Sequence, residues 1–162
     1  MLVRPIVQSD WPAIMEIQTQ CYLELTPESL AVMQSKWLLS PDTCLVFEKQ
    51  NTILAYVLTH PWQYGDAPSL GTELTSINSS NCLYLHDMAI SPNSQKMGLG
   101  KQLFEQIVIR AKQGNYSGIG LVAVQGAQTY WQRQGFRPNS PSKKLTLSSY
   151  PTGACYLYLS LS

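Results

Sequence analysis

Charged residues are scarce in this sequence, and neither sign dominates. Among 162 residues, 11 are Lys or Arg and 10 are Asp or Glu, so the formal net charge is +1. No basic stripe offers a footprint for a phosphate backbone, which argues against nucleic acid as a partner. No apolar run approaches the ~20 residues that span a bilayer, and the N-terminus lacks the charged-then-apolar pattern of a secretory signal. We therefore predict a soluble cytoplasmic protein that binds neither nucleic acid nor membrane.

Cysteine pairs at metal-site or redox spacing are also absent. The four cysteines, Cys21, Cys44, Cys82 and Cys155, are scattered through apolar segments without a C-x-x-C pair. This pattern predicts buried thiols in a reducing compartment and no metal site. Cys82 and Cys155 are poor candidates for a nucleophile, because neither stands at a helix start or beside a fixed cation. Repeats and linkers are missing too, so residues 1–162 are predicted to form one domain.

Apolar segments separated by turn residues predict a chain of strands and helices. The predicted strands are residues 2–6, 44–47, 53–58, 84–90, 118–124 and 155–161. The first predicted helix follows a cap at Ser9 or Asp10, and the second starts at Thr26 with Pro27 at its first position. The third runs from Leu99 to a cap at Gly114, and the fourth covers 127–134. The strands are nearly continuously apolar, which implies helices on both faces of the sheet. The helical crossover between 84–90 and 118–124 makes those two strands parallel.

A glycine loop joins the fourth predicted strand to the helix that follows it. After a short turn, Gln95 is followed by Gly98 and Gly100, which open the amphipathic helix. Glycine lets backbone approach a ligand, and the unpaired amides at a helix start suit a phosphate or pyrophosphate. A dinucleotide-binding fingerprint would need glycine where Leu103 stands. A Walker loop would need glycine in place of Gln95 and a hydroxyl residue after Lys101.

The remaining pattern, Gln-x-x-Gly-x-Gly after a strand, resembles the acetyl-coenzyme A loop of the GNAT superfamily of N-acetyltransferases. A second motif of that family, Ala-x-x-x-Tyr-x-x-x-Gly-Phe, has counterparts here in Ala127, Trp131, Gly135 and Phe136. The order of the predicted elements agrees with the family along essentially the whole chain. The resemblance implies an α/β fold with a twisted, mostly antiparallel sheet of six or seven strands. Strands four and five would form a parallel, splayed pair, with helices on both faces.

The resemblance also implies acetyl-coenzyme A as the acyl donor. Its pantetheine arm would lie between the splayed strands and pair with the backbone of Met88, Ala89 and Ile90. Its pyrophosphate would bind the amides of the glycine loop, which are those of Gln95, Lys96, Met97, Gly98, Leu99, Gly100 and Lys101. The Lys101 side chain either adds a charge to this site or is an ordinary solvated residue of the helix.

His86 and Asp87 are the strongest polar signal in an otherwise apolar strand. Transfer of an acetyl group to an amine requires a base for the amine and a hydrogen-bond donor for the thioester carbonyl. We predict His86 as the base, with Asp87 beside it, and the Met88 amide as the carbonyl donor. Strand alternation would place the two side chains on opposite faces, unless a bulge re-aims them. The alternative is a structural pair, in which Asp87 caps a loop or His86 satisfies a buried carbonyl.

The sequence departs from the family at the group that would protonate the leaving thiolate. Trp131 occupies the usual Tyr position, and its indole N–H cannot supply a proton at neutral pH. Tyr130 is the alternative acid, although it lies about 100° around the helix from that position. Otherwise the proton comes from solvent or from the ammonium of the substrate. Trp131 is predicted to pack against the sulfur end of the cofactor, and Val124 replaces an Asn that contacts the cofactor in the family.

The acceptor site is predicted from the loops that form it in the family. The loop between the first two helices points to Tyr22 and Glu24, with Trp62 as a further wall, although each could be a solvated loop residue. We expect N-acetyl transfer to a small primary amine or a peptide N-terminus, directly within a ternary complex. The alternative is a coenzyme A-binding sensor or interaction module with little catalysis. The apolar terminal strand could also pair across a homodimer.

Overall fold

The computed structural model describes residues 2–23, 25–76, 80–124, 126–138 and 147–161. The strands are β1 (Leu2–Pro5), β2 (Leu45–Lys49), β3 (Thr52–Trp62), β4 (Cys82–Ile90), β5 (Gly118–Ala123), β6 (Arg137–Pro138) and β7 (Cys155–Ser160). The helices are α1 (Trp11–Cys21), α2 (Leu30–Leu39), α3 (Leu99–Gln113) and α4 (Gln128–Arg133). Short 3₁₀ turns lie at Gln8–Asp10, Pro41–Thr43 and Pro92–Met97.

The strands form one mixed sheet in the order β1-β2-β3-β4-β5-β7-β6. The pair β4 and β5 is parallel and is joined through α3, while the other neighbouring pairs are antiparallel. Helices pack on both faces of this sheet. The architecture confirms the predicted α/β class, including the parallel pair within a mostly antiparallel sheet.

The parallel pair separates at its carboxyl end. The two strands are in register from Cys82 opposite Gly118 to Leu85 opposite Leu121. The strand β4 then continues to Ile90 without pairing with β5. A gap therefore opens beside the second half of β4, which confirms the predicted splay of these strands.

Two apolar cores flank the sheet. The first, which we call the α3 core, lies beneath α3 and α4, and its members include Leu83, Leu85, Leu103, Ile107 and Trp131. The second, which we call the α1–α2 core, lies on the opposite face, and its members include Trp11, Ile14, Met33, Tyr56 and Leu58. Because the central strands supply side chains to both cores, they are apolar on both faces.

The helix α2 begins later than the sequence predicts. It starts at Leu30, and the hydroxyl of its N-cap residue Ser29 accepts from a helix amide at 3.2 Å. The reason is Gln18 of α1, whose buried side-chain amide binds the backbone N–H of Glu28 at 2.9 Å and the Glu28 carbonyl at 3.0 Å. These bonds hold Glu28 outside the helix, so the prediction of a helix from Thr26 is wrong.

Neither a membrane span nor a metal cluster is found within the described ranges. No helix there is long and apolar enough to cross a bilayer. No group of three or more His, Cys, Asp or Glu side chains there could hold a metal ion. The four cysteines are free thiols, and burial raises the pKa of the Cys44 thiol to about 12.

Candidate active site

A cleft of about 1110 Å³ runs along the second half of β4. Its walls come from β4, β5, the glycine loop with the start of α3, α4, and the segments that precede α2 and β7. A cavity of this size and position is typical of a ligand site. We call the end at the glycine loop the donor half, and the end beside residue 28 the acceptor half.

A bulge in β4 shapes the acceptor half. Leu58 of β3 pairs with Asp87, but the next residue, Thr59, pairs with Leu85, so His86 is an extra residue in β4. A bulge interrupts the alternation of side chains along a strand. His86 and Asp87 consequently both have partners on the α1–α2 side of the sheet, whereas Met88 packs against the α3 core.

The bulge brings His86 to Glu28. Its Nε2 lies 2.6 Å from Oε1 of Glu28, and the two side chains are 1% and 11% exposed. The second oxygen of Glu28 accepts from the Gly71 N–H at 2.9 Å. Burial opposes a charge on this carboxyl, but the hydrogen bond and charge of His86 outweigh it and lower the pKa of Glu28 to about 2. Since an ionised carboxylate only accepts, Nε2 of His86 carries a hydrogen, and Nδ1 is an acceptor whenever the ring holds a single proton.

Asp87 is buried beside this pair. The Tyr56 hydroxyl donates to Oδ2 of Asp87 at 2.6 Å. Burial raises the pKa of Asp87, although the charge of His86 opposes the rise. The partner of His86 is thus a carboxylate rather than a carbonyl, and the partner of Asp87 is a tyrosine on the neighbouring strand.

Two hydrogen-bond acceptors in the cleft lack partners. Among the described residues, the buried side-chain nitrogen and oxygen atoms without a partner are Trp11 Nε1, Trp37 Nε1, His60 Nε2, Trp62 Nε1, His86 Nδ1 and Asp87 Oδ1. Of these, the atoms of His86 and Asp87 belong to residues that line the cleft. A buried polar atom normally has a partner, so unpaired acceptors on two consecutive residues that line a cleft favour a ligand that donates hydrogen bonds.

The backbone N–H and C=O groups at the end of β4 point alternately toward β3 and toward the gap. The Ser91 N–H donates to Leu54 at 2.8 Å, so by antiparallel alternation Ala89 faces β3 as well, while Met88 and Ile90 face the gap. The backbone groups of Met88 and Ile90 therefore point into the gap, and those of Ala89 do not. The Ala89 side chain instead belongs to the α1–α2 core.

Two side chains from the end of α1 already contact these gap-facing groups. The Tyr22 hydroxyl donates to the Met88 carbonyl at 3.1 Å, and the Cys21 thiol donates to the Ile90 carbonyl at 3.0 Å. Gln95 also donates to the Ile90 carbonyl, at 3.4 Å. These contacts occupy the carbonyls and leave the amides of Met88 and Ile90 as the donors toward the gap.

The glycine loop forms the donor half. Gly98 has a left-handed φ of +72° and is the N-cap of α3. A Cβ on Gly100 would lie 2.9 Å from the Tyr130 hydroxyl and 3.0 Å from Ile90, which is closer than side chains normally pack. Glycine therefore suits both positions, because the backbone of Gly98 is left-handed and a side chain at Gly100 would displace the ends of Tyr130 and Ile90.

Most of the predicted cofactor residues line this half. Those in the loop that line the cleft are Gln95, Gly98, Leu99, Gly100 and Lys101. Lys96 and Met97 do not line it; both lie exposed in the 3₁₀ turn that precedes α3.

The two aromatic residues of α4 both line the cleft. Trp131 is buried, with its ring 5.6 Å from Phe104 and 5.4 Å from Phe136. Tyr130 is partly exposed, and its hydroxyl lies over Gly100. Burial raises the pKa of Tyr130, which keeps its hydroxyl protonated at neutral pH. The Tyr130 side chain is thus aimed into the donor half, despite its offset from the usual tyrosine position.

Of the residues predicted to form the acceptor site, only some line the cleft in the described part of the chain. Tyr22 lines the cleft. Trp62 does not, since its ring packs edge-on against His60 at 5.5 Å, near the end of β3. Glu24 lies outside the described residues. Sequence reasoning missed Glu28, because a helix predicted from Thr26 made it an ordinary first-turn acid.

Comparison with known proteins agrees with this geometry. The model of the Acetyltransferase (GNAT) family matches residues 11–136, and no curated protein matches the chain significantly. The loading GNATL domain of CurA from Lyngbya majuscula is similar, with a TM-score of 0.82 and 14% identity over 98% of this chain and 96% of that one. The ribosomal-protein-S18-alanine N-acetyltransferase from Escherichia coli has a TM-score of 0.71 and 16% identity over 99% and 94%.

A third similar structure contains the acyl donor itself. It is a GNAT family acetyltransferase from Brucella melitensis in complex with acetyl-CoA, with a TM-score of 0.63 and 15% identity over 99% of this chain and 88% of that one. Likeness at these identities concerns the fold alone. The family model, however, spans most of the sequence, and on that ground the chain belongs to the Acetyltransferase (GNAT) family.

Proposed function

We propose that the protein is an N-acetyltransferase that moves an acetyl group from acetyl-coenzyme A to a primary amine, either a small molecule or a peptide N-terminus. The observation that carries this proposal is that two consecutive residues of the cleft, His86 and Asp87, each have an unpartnered side-chain acceptor, Nδ1 and Oδ1. An ammonium or amine group donates two or more hydrogen bonds from one nitrogen, whereas a hydroxyl or thiol donates one.

The donor half fits acetyl-coenzyme A. The gap beside β4 leaves the Met88 and Ile90 backbone facing space that a pantetheine arm can occupy. The unpaired amides at the start of α3 suit its pyrophosphate. The relative from Brucella melitensis, which is in complex with acetyl-CoA, supports the same donor. Bound there, acetyl-coenzyme A supplies the acetyl thioester that an amine can attack.

The residues of the acceptor half prepare the amine. Glu28 holds the ring of His86 through Nε2–H, so that Nδ1 takes a proton from the ammonium of the substrate. Asp87 Oδ1 accepts a second N–H and fixes the direction of the nitrogen lone pair. The carbon–nitrogen bond then forms as the carbon–sulfur bond breaks, within one ternary complex, and the second proton that the nitrogen loses passes to solvent. His86 and Tyr130 return to their starting states by exchanging protons with solvent.

Two groups in or beside the donor half complete the transfer. The Met88 amide faces the gap and donates to the thioester oxygen as it gains charge. The Tyr130 hydroxyl is placed over Gly100, and it supplies a proton to the departing thiolate. Trp131 packs beside it as part of the cleft wall.

The second candidate is a coenzyme A-binding sensor or interaction module. Trp131 at the usual tyrosine position favours it, because an indole cannot act as the acid. The buried Glu28–His86 pair weighs against it, since a module that only binds coenzyme A has no need of a base.

A screen of amines and peptides, with coenzyme A release as the readout, separates the candidates. We expect turnover of at least one amine, and a loss of ~10²-fold or more in kcat for His86→Ala. Calorimetry should show that this variant still binds acetyl-coenzyme A. Binding by the wild-type protein without turnover of any amine would support the module instead.

A further inference from the structure

A lysine is buried in full beneath the acceptor half. Lys36 of α2 is 0% exposed, and its Nζ donates to the Thr72 carbonyl at 3.0 Å. Burial of an ammonium is costly unless partners compensate. Lys36 does not line the cleft, so a role in the reaction would have to act through its neighbours.

The segment of residues 71–74, which we call the strap, is a neighbour of Lys36. The Gly71 N–H donates to Glu28 at 2.9 Å, Lys36 donates to Thr72 at 3.0 Å, and the Leu74 N–H donates to Ser35 at 3.0 Å. Three hydrogen bonds thus fasten this segment to α2 and to the residues that precede it. Because Gly71 lines the cleft and shares Glu28 with His86, the position of the strap is linked to that of the imidazole.

Three carboxylates act on the Lys36 ammonium through their charge. They are Glu28 from the segment before α2, Asp87 from β4 and Glu73 from the strap. His60 of β3 is neutral at ordinary pH, because burial lowers its pKa to about 3. Burial lowers the pKa of Lys36, and the three carboxylates oppose this. An ammonium so enclosed stabilises the negative charges of the cluster and disfavours an added proton.

We propose that Lys36 is a positioning residue of the acceptor half, which fixes the strap so that Glu28 keeps both of its bonds and whose positive charge offsets the buried carboxylates nearby. This inference rests on the proposed function, because it gives Lys36 its effect through the base. It predicts two separable effects, one on the fit of the amine and one on the pH dependence of the reaction.

Two variants separate these effects. Lys36→Met removes the charge and the bond to Thr72, and should lower kcat/KM for the amine by ~10-fold. It should also move the acid limb of the kcat/KM profile to higher pH. Ser35→Ala loosens the strap at Leu74 without changing charge, and should raise KM for the amine a few-fold while leaving the acid limb in place. The KM for acetyl-coenzyme A should stay unchanged in both.

A variant that conserves the positive charge of residue 36 tests the electrostatic effect separately. Lys36→Arg keeps the positive charge and should keep the acid limb of the wild-type protein, even where the rate falls. Identical pH profiles for Lys36→Met and the wild-type protein would overturn the proposal. If Lys36→Met does not fold, Glu73→Gln replaces it, since Glu73 is exposed. Loss of that carboxylate should move the acid limb to lower pH, and an unmoved limb would count against the proposal.

A readout that needs no turnover distinguishes failure of this inference from failure of the proposed function. Hydrogen exchange at the Gly71 amide should be at least 10-fold faster in Lys36→Met than in the wild-type protein, with Ile107 in the α3 core as the unchanged reference. A wild-type protein that acetylates no amine would overturn the proposed function alone. Unchanged exchange at Gly71 in Lys36→Met would overturn the inference about Lys36.

Discussion

The two halves of the cleft are built in different ways. The donor half is a backbone site, in which glycines and the amides of β4 and α3 face a gap. The acceptor half is a side-chain site, in which buried carboxylates and imidazole hold one another. Backbone is fixed by secondary structure, whereas a buried ion pair needs every partner in place. Single side-chain changes should therefore damage the acceptor half far more than the donor half.

The largest expected effect is that of Glu28→Gln. The amide removes the charge that holds the His86 ring with Nε2–H toward it, so the base is misdirected. We expect kcat/KM for the amine to fall by ~10²–10³-fold, measured by coenzyme A release. Glu16→Gln, on the exposed face of α1, is the matched control and should leave the rate unchanged. Weaker binding of acetyl-coenzyme A by Glu28→Gln would break the division between the halves.

The acceptor half should also carry an acid dependence of stability. Folding lowers the pKa of Glu28 from 4.5 to about 2. The stabilisation that the lowered pKa of Glu28 provides is therefore fully present above pH 4.5, and it is lost as the pH falls from 4.5 toward 2. On the order of 2–3 kcal/mol is at stake, measured as the free energy of unfolding in urea at several pH values. Glu28→Gln should remove this part of the pH dependence. A parallel decline of wild type and variant below pH 4.5 would show that Glu28 is not its source.

A smaller effect is expected from Gly100→Ala in the donor half. The added Cβ would meet the Tyr130 hydroxyl at 2.9 Å, so Tyr130 must shift toward the space of the cofactor. We expect the Kd for acetyl-coenzyme A to rise by ~10-fold in calorimetry, with the KM of the amine unchanged. Gly98→Ala is the control for backbone strain alone, since a Cβ there meets nothing within 4 Å. Equal losses in both variants would mean that the contact with Tyr130 is irrelevant.

The smallest effect is expected from Tyr130→Phe. Loss of the hydroxyl leaves protonation of the thiolate to solvent or to the ammonium of the substrate, so kcat should fall by roughly 3–10-fold. Tyr116→Phe, a partly buried tyrosine beyond α3, should leave kcat unchanged. An unchanged kcat in Tyr130→Phe would assign the proton to solvent or substrate.

The donor half could be predicted from the sequence because its parts are adjacent in the chain. Gln95, Gly98 and Gly100 follow one strand and open one helix, so local rules for turns and helix starts suffice. The order of strands and helices was predictable for the same reason. Local rules could not show which backbone groups of β4, such as those of Ala89, face the gap, because that depends on pairing with β3.

The acceptor half could be predicted only in part, because its contacts join distant segments. His86 and Glu28 are 58 residues apart, and Gly71 and Glu28 are 43 apart. His86 and Asp87 stood out as polar residues in an apolar strand, but the bulge that brings them to one side depends on the register with β3. The position of Glu28 depends on two hydrogen bonds from the side chain of Gln18 to its backbone. No local sequence pattern predicts these bonds.

The most direct test of the account is a crystal structure with coenzyme A and the amine that the screen identifies. We expect the amine nitrogen within 2.6–3.2 Å of both His86 Nδ1 and Asp87 Oδ1, the range required for proton transfer. The sulfur of coenzyme A should lie in the gap beside Met88. An amine bound away from these two atoms, or a β4–β5 pair closed beyond Leu85, would contradict the account.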